Sequence, residues 1–310
     1  MSSARQQRPL RLMETFRSLF YTPIYVALSG GFLEKEGLDV QFSTCPAGYH
    51  GLSAMNVDLA DIVQAGPMRS IIAADWGAEV VPPHFVEINS RDGFFLVGRR
   101  PEGEFHWKDL EGASIIPVGF SPMPVASLRY AVENHGVDWG SIRQTPGLSL
   151  AEATARFKDG EGDYIHLPQP AVQQLLEEGS GRLAAALGPV NGHISYSSFA
   201  TTNRFIASNP EAVHGFTRGF YNAQRWLAEN EADTVGASVS SFFPEIEPEV
   251  VVKAVARYKA QDTWATDPLL REDGYEALQD VLVGAGLAKA RQPYRHIIRT
   301  DFAEEAMGRA

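Results

Sequence analysis

The chain has 310 residues, 44% of them hydrophobic, enough to bury a substantial core over one large domain or two lobes of ordinary size. Its 27 Lys and Arg against 38 Asp and Glu leave a net charge of -11 with the basic residues scattered, so the field repels polyanions and nucleic acid is not an expected partner. The single cysteine, Cys45, excludes an intramolecular disulfide and a Cys-rich metal site, and no apolar run reaches the roughly 18 residues that a membrane span needs.

In chain order, apolar and β-branched runs predict strands over 10–14, 39–43, 60–64, 84–89, 93–99, 113–118, 164–167 and 198–203. Helical spacing predicts helices over about 23–36, 50–56, 67–75, 122–134, 149–158 and 169–178. This alternation is the pattern of βαβ units and of an α/β fold with mixed, mostly parallel sheets. From Asn209 the pattern turns helical only. Asn209-Pro210 opens a helix carrying Val213, Phe216, Phe220 and Ala223 on one face, and further helices follow over 248–258 and 274–284. These C-terminal helices are expected to brace the strand-bearing part.

One device recurs four times: a strand ends, a small or polar residue follows, and proline opens a helix. It reads Tyr21-Thr22-Pro23, Ala65-Gly66-Pro67, Phe120-Ser121-Pro122 and Leu167-Pro168-Gln169-Pro170. Proline is tolerated at the first helical position because that amide has no intrahelical partner. In an open α/β sheet, ligands bind beyond the carboxyl ends of the strands, where helix N-termini present free N–H groups. The four junctions are therefore expected to line one cleft; read singly, each is ordinary α/β punctuation.

Candidate ligand contacts follow from these loops. Phe16, Phe20 and Tyr21 offer aromatic faces, and Arg17 offers a bidentate grip on a carboxylate or sulfonate; the alternative puts Phe16 and Phe20 in the core and Arg17 in solvent. Tyr49 and His50 follow Cys45 in the next loop, where His50 serves either as an acid or base or as a helix cap, and Cys45 reads as a small buried hydrophobe. Arg69 stands in the first turn of a helix, an unfavourable place for a cation that points to a bound anion, or else to a surface ion pair. Phe120, Ser121 and Met123 open one helix, with Ser121 expected to spend its oxygen as the N-cap. His166 and Gln169 stand at another junction, where His166 is either a contact or a core histidine. The stretch from Ser195 through Tyr196 to Ser198 offers hydroxyl donors, or forms a polar turn. The eight histidines show no metal-ligand spacing, and no phosphate-binding loop or nucleophile elbow occurs, so neither metal nor cofactor is expected.

The opening Pro23-Ile24-Tyr25-Val26-Ala27, with the run from Gly31 to Val40 (GFLEKEGLDV), resembles the start of the NMT1/THI5-like (SsuA-like) family of substrate-binding proteins. Asn56-Val57-Asp58-Leu59-Ala60, the run 206–213 (IASNPEAV) and Trp226-Leu227-Ala228-Glu229-Asn230 are similar to later segments of that family, so the likeness runs from about residue 10 to 240. The resemblance implies a two-lobed type II periplasmic-binding-protein fold. Lobe 1 would hold residues 1–95 with 198–310 and lobe 2 residues 96–197, and crossing strands near 94–97 and 198–202 would form a hinge over the cleft. It also implies a small-molecule ligand and an ABC permease as partner. The N-terminal stretch has arginines but no apolar signal region, so the chain as written reads as cytoplasmic, or as periplasmic if it is a mature form whose export signal was removed.

The same fold hosts cytoplasmic enzymes, so a cofactor-independent decarboxylase-like or lyase-like activity using His50 with Arg17 or Arg69, a thiamine-pyrimidine-synthase-like activity, and a cytoplasmic ligand sensor remain alternatives. The pyrimidine synthases carry a cysteine-rich iron motif that Cys45 alone does not supply. The desulfinases carry a first-loop cysteine where this chain has Phe16 to Tyr21.

Overall fold

The computed structural model describes residues 9–99 and 104–308. The strands are β1 (Leu10–Glu14), β2 (Val40–Thr44), β3 (Ile62–Ala65), β4 (His84–Asn89), β5 (Phe94–Gly98), β6 (Ser114–Ile116), β7 (Arg143–Gln144), β8 (Tyr164–Pro168), β9 (Arg182–Ala186) and β10 (Ser197–Thr201). They form two five-stranded sheets, ordered β2-β1-β3-β10-β4 and β7-β6-β8-β5-β9. In the first, β1 pairs parallel with β2 and β3, whereas β10 runs antiparallel to β3 and β4. The second repeats the plan, with β6 parallel to β7 and β8, and β5 antiparallel to β8 and β9. The chain passes from the first sheet to the second across 90–93 and returns across 187–196.

Strands β3, β4, β5, β8 and β10 are buried along their whole length, as strands covered on both faces by helices must be. Helices α1 (Thr22–Ser29), α2 (Gly51–Asn56) and α3 (Pro67–Asp75) follow strands of the first sheet. Helices α4 (Pro122–Asn134), α5 (Leu150–Lys158), α6 (Ala171–Glu177) and α7 (Leu187–Asn191) accompany the second. Then come α8 (Asn203–Ser208), α9 (Pro210–Glu229), α10 (Ala232–Val239), α11 (Pro248–Ala260) and α12 (Glu272–Gly284). In α9 the expected face is buried: Phe216 and Phe220 meet Phe199 of β10 edge-on, with centroids 4.8 and 4.9 Å away. The bracing role is visible in α12, which packs on α3 and on α4, and in α11, which packs on α6 and on the 3-10 turn Leu19–Tyr21.

Several local expectations change. The helix expected over 23–36 stops at Ser29, where Gly30 and then Gly31, at φ +63°, end it, and Glu34–Glu36 forms a separate 3-10 turn. Pro67 and Pro122 open their helices as expected, but Thr22 is the first residue of α1 and not its cap; its hydroxyl donates to the Leu19 carbonyl at 2.7 Å. Pro168 closes β8, and Pro170, after a cis peptide bond, is the N-cap of α6. Strands β7 and β9 had no sequence signal: β7 is two residues long, and β9 (RLAAA) lacks β-branched residues.

Candidate ligand-binding site

A cavity of about 690 Å³ lies between the sheets. The first sheet contributes the loop after β1 from Thr15 to Tyr21, the stretch Gly48 to His50 that precedes α2, Gln64 of β3, and Gly66, Met68 and Arg69 at the start of α3. The second contributes Phe120, Ser121, Met123 and Pro124 at the start of α4, Leu150 of α5, and Pro168, Gln169 and Pro170 after β8. Phe94, Tyr196 and Ser197 join the wall at the two crossings, and Phe243, Glu245 and Ile246 reach it from beyond α10. All four proline junctions thus meet on one cavity.

The start of this wall is aromatic. Phe20 packs against Tyr21, Phe94 and Tyr196 with ring centroids 5.3, 6.1 and 5.4 Å away, and Phe16 meets Phe120 edge-on at 5.3 Å. Because Phe16 belongs to the first sheet's loops and Phe120 to the second's, that contact spans the cavity. Gly93 lets Phe20 approach the first crossing, since a Cβ there would lie 2.2 Å from the Phe20 ring. Tyr49 and Phe120 are each 44% exposed and stand at the rim.

Four helix starts open on the cavity with an N-cap residue that makes no side-chain capping bond: Tyr21 before α1, Gly66 before α3, Ser121 before α4 and Pro170 before α6. Ser121 occupies the N-cap position with extended backbone, but its hydroxyl makes no capping bond, contrary to expectation. The first turns of α3 (Pro67-Met68-Arg69) and α4 (Pro122-Met123-Pro124) carry partial positive charge, but their prolines have no N–H and the Arg69 N–H goes to the Gly66 carbonyl at 3.1 Å, so the amides left to a ligand are those of Met68 and Met123. Arg69 adds a full charge there. Its guanidinium has no hydrogen bond or ion pair among the described residues, and loss of solvent lowers its proton affinity.

Arg17 lines the same cavity but is already engaged. Its Nε donates to Glu14 Oε1 at 2.8 Å, and its terminal nitrogens reach the Phe242 carbonyl at 3.2 Å and the Thr44 hydroxyl at 3.4 Å. Glu14, fully buried, also accepts from the Tyr25 hydroxyl at 2.5 Å and from Thr44 at 2.7 Å. The grip expected of Arg17 on a ligand is therefore spent on a carboxylate of the fold.

His50 caps α2, its Nδ1 accepting from the Ser53 N–H at 3.3 Å, which puts the neutral ring's proton on Nε2. Loss of solvent and then the Arg69 charge push its pKa down, so near neutral pH it is an uncharged donor with one nitrogen occupied. Cys45 lies outside the cavity wall, and burial, reinforced by Glu14, pushes its thiol up to about 11, leaving it protonated. His166 is also off the wall: it is fully buried with its ring 5.2 Å from Phe94, and burial pushes it down to about 3. The hydroxyls of Ser195, Ser197 and Ser198 go to Glu87, Asn89 and the Ala65 carbonyl, so of that stretch Tyr196 and Ser197 line the cavity and only the Tyr196 hydroxyl has no partner among the described residues.

The cavity therefore gathers Phe16, Arg17, Phe20, Tyr21, Tyr49, His50, Arg69, Phe120, Ser121, Met123, Gln169 and Tyr196 of the expected residues, and omits His166. Sequence reasoning missed Phe94, read only as part of a crossing strand at the hinge, and the stretch of Phe243, Glu245 and Ile246 that reaches the wall from beyond α10. The Phe242-Phe243-Pro244 run inside a helical region was the available signal for the latter. Among the described residues no helix is long and apolar enough to cross a membrane.

The sequence model of the NMT1-like family matches residues 13–240. YtlA of Bacillus subtilis (strain 168), whose name proposes a binding protein, is 28% identical over 309 residues, 98% of this chain and 92% of that one. The alkanesulfonate-binding protein SsuA from Xanthomonas axonopodis pv. citri superposes with a TM-score of 0.73 at 20% identity, covering 96% of this chain and 100% of that one. The periplasmic aliphatic sulphonate binding protein SsuA from Escherichia coli gives a TM-score of 0.73 at 18% identity, over 95% and 93% of the two chains. These neighbours share the fold: two mixed sheets with flanking helices, as in periplasmic binding proteins.

Proposed function

The chain belongs to the NMT1-like family, and from that premise we propose that it is a solute-binding protein holding one small, anionic aromatic or heterocyclic molecule between two lobes, as in uptake through an ABC permease. One observation carries the reading: the unpaired Arg69 guanidinium faces an aromatic-walled cavity beside two uncapped helix starts. A cation without a counter-ion, partly withdrawn from water in the first turn of a helix, is unfavourable until an anion joins it. The same anion can accept from the Met68 or Met123 amide at those helix starts. Aromatic faces suit a flat ligand. The names of the SsuA neighbours, both sulfonate-binding proteins, support an anion of this class.

In this proposal the lobes are the regions built on the two sheets, divided at the crossings over 90–93 and 187–196, slightly before the expected bounds of 95 and 197, and they move about those crossings. Ligand contacts made from both sides favour the closed arrangement, so binding drives closure by differential affinity. Thermal shift against benzenesulfonate, benzoate and a neutral control, benzyl alcohol, tests this. At about 100 times its Kd, a ligand adds roughly 2.7 kcal/mol, a rise of about 4 °C for a chain of this size. Stabilisation by the anions and not by the alcohol is the expected result; no shift with any aromatic anion would sink the proposal.

A further inference from the structure

We infer that the ligand carries, besides its anionic group, an uncharged hydrogen-bond acceptor, and that Gln169 Nε2 and the Tyr196 hydroxyl receive it and set specificity. The inference rests on the anion-binding reading of the cavity. Among the described residues, the buried side-chain atoms without a partner fall into two kinds. Glu87, Asn191, Gln224 and Gln261 each leave one oxygen unpaired, and oxygens with spare lone pairs are tolerated. The remaining atoms are both ring nitrogens of His166, Gln169 Nε2 and the Tyr196 hydroxyl. Unpaired donors are the rarer and costlier kind.

Elsewhere this fold pairs the donor arm of a buried amide. Gln224 Nε2 donates to the Glu87 carbonyl at 2.9 Å, Gln261 Nε2 to the Asp92 carbonyl at 3.1 Å and the Thr263 hydroxyl at 2.8 Å, and Asn191 Nδ2 to the Ser127 hydroxyl at 2.9 Å. Buried His84 has a hydroxyl on each nitrogen, Ser70 at 2.9 Å and Ser198 at 2.7 Å. Gln169 reverses the pattern. Its Oε1 accepts from the Gln173 N–H at 3.1 Å, which orients the amide, and its own backbone N–H donates to the Tyr258 hydroxyl at 3.0 Å. Anchored at both points, the side chain keeps a buried, unpaired NH2 within a residue that lines the cavity and is only 1% exposed.

Tyr196, 7% exposed, is fixed by its backbone N–H to the Asn89 carbonyl at 3.0 Å and by the Phe20 and Phe94 rings, and it too lines the cavity. His166 lies one layer behind, under Phe94. Among the described residues the wall carries no Lys and two arginines, both from the first sheet's side, so the acceptor met by Gln169 is an uncharged one such as a carbonyl.

The test is calorimetric titration of the full chain with the 2-, 3- and 4-acetylbenzenesulfonates against the matching ethylbenzenesulfonates, which have similar shape and no carbonyl. At least one acetyl isomer should bind about tenfold tighter than its ethyl partner, the value of one well-made hydrogen bond. Gln169→Glu keeps the oxygen that holds the Gln173 N–H but replaces the donor, and should abolish or reverse the preference. Tyr196→Phe should reduce it, and the quantity read in each variant is the ratio of acetyl to ethyl affinity, in which any general change of sulfonate binding cancels. Equal binding of every acetyl and ethyl pair, or a preference that survives both substitutions, would overturn the inference. Acetophenone against ethylbenzene separates the two readings. If no sulfonate binds but acetophenone is preferred, the anion reading falls and the donor wall stands; if benzenesulfonate binds and no carbonyl is preferred, the reverse holds.

Discussion

Substitution of Arg69 by glutamine removes the charge and keeps most of the stem. The guanidinium has no hydrogen bond or ion pair among the described residues, so its loss strips none. Relief of a cation from the first turn of α3 is worth about 0.3–1 kcal/mol, which for this chain length corresponds to a melting temperature unchanged or higher by about 0.5–1.5 °C. With ligand, the missing charge-assisted hydrogen bonds are worth about 1.5–3 kcal/mol, a loss of about 10–150-fold in affinity for benzenesulfonate. Calorimetric titration and a thermal melt of the same preparation read both quantities. The reasoning fails if affinity stays within threefold of wild type, or if the free variant melts several degrees lower, which would mean that Arg69 holds the fold.

The Phe16 and Phe120 rings span the cavity at 5.3 Å, a contact worth about 0.5–1.5 kcal/mol, so ligand-free Phe120→Ala should have a larger radius of gyration by small-angle scattering, restored by ligand; an unchanged radius would contradict this. At Gly93, alanine would place a Cβ 2.2 Å from the Phe20 ring, and the variant should lose about 1–3 kcal/mol of stability together with ligand affinity; wild-type values for both would refute that packing. Burial pushes His84 and His166 down to about 3, so below the unfolded value near 6.5 the unfolded chain binds more protons and each residue removes stability as pH falls toward 3, roughly 1.4 kcal/mol at pH 5.5. Asp92, pushed up to about 7 by burial, and His193, held above its ordinary value by Glu87, act in the opposite direction. The informative quantity is therefore a difference: between pH 7.5 and 5.5, His166→Leu should lose about 1.4 kcal/mol less than wild type in urea melts, and identical losses would be the contrary result.

The cavity was legible in the sequence because its makers are local signals. Proline beside a small residue at a strand end marks a helix start wherever the strand lies, and the four starts share a cavity because strands of both sheets end toward it. Arg69 was readable for the same reason, as a cation in a first turn is anomalous before any partner is known. What stayed hidden depends on which residues meet. Arg17 and Glu14 are three apart in the chain, but their pairing follows from the path of a loop and from Tyr25, Thr44 and Phe242 closing around it. His166 sits behind Phe94 because of the β5–β8 register, in which Phe94 faces Pro168 and Leu96 faces His166. The arrival of Phe243 and Glu245 at the wall is a tertiary event with only a weak local cue. Strand β9 is an alanine-rich segment that becomes a strand by pairing with β5.

A crystal structure of the chain soaked with benzenesulfonate bears most directly on the central claim. The sulfonate oxygens are expected within hydrogen-bond distance of the Arg69 guanidinium and the first-turn amides of α3 or α4, with the ring against Phe20, Phe94 or Phe120. A sulfonate bound outside this cavity, with the Arg69 guanidinium still bare, would contradict the account.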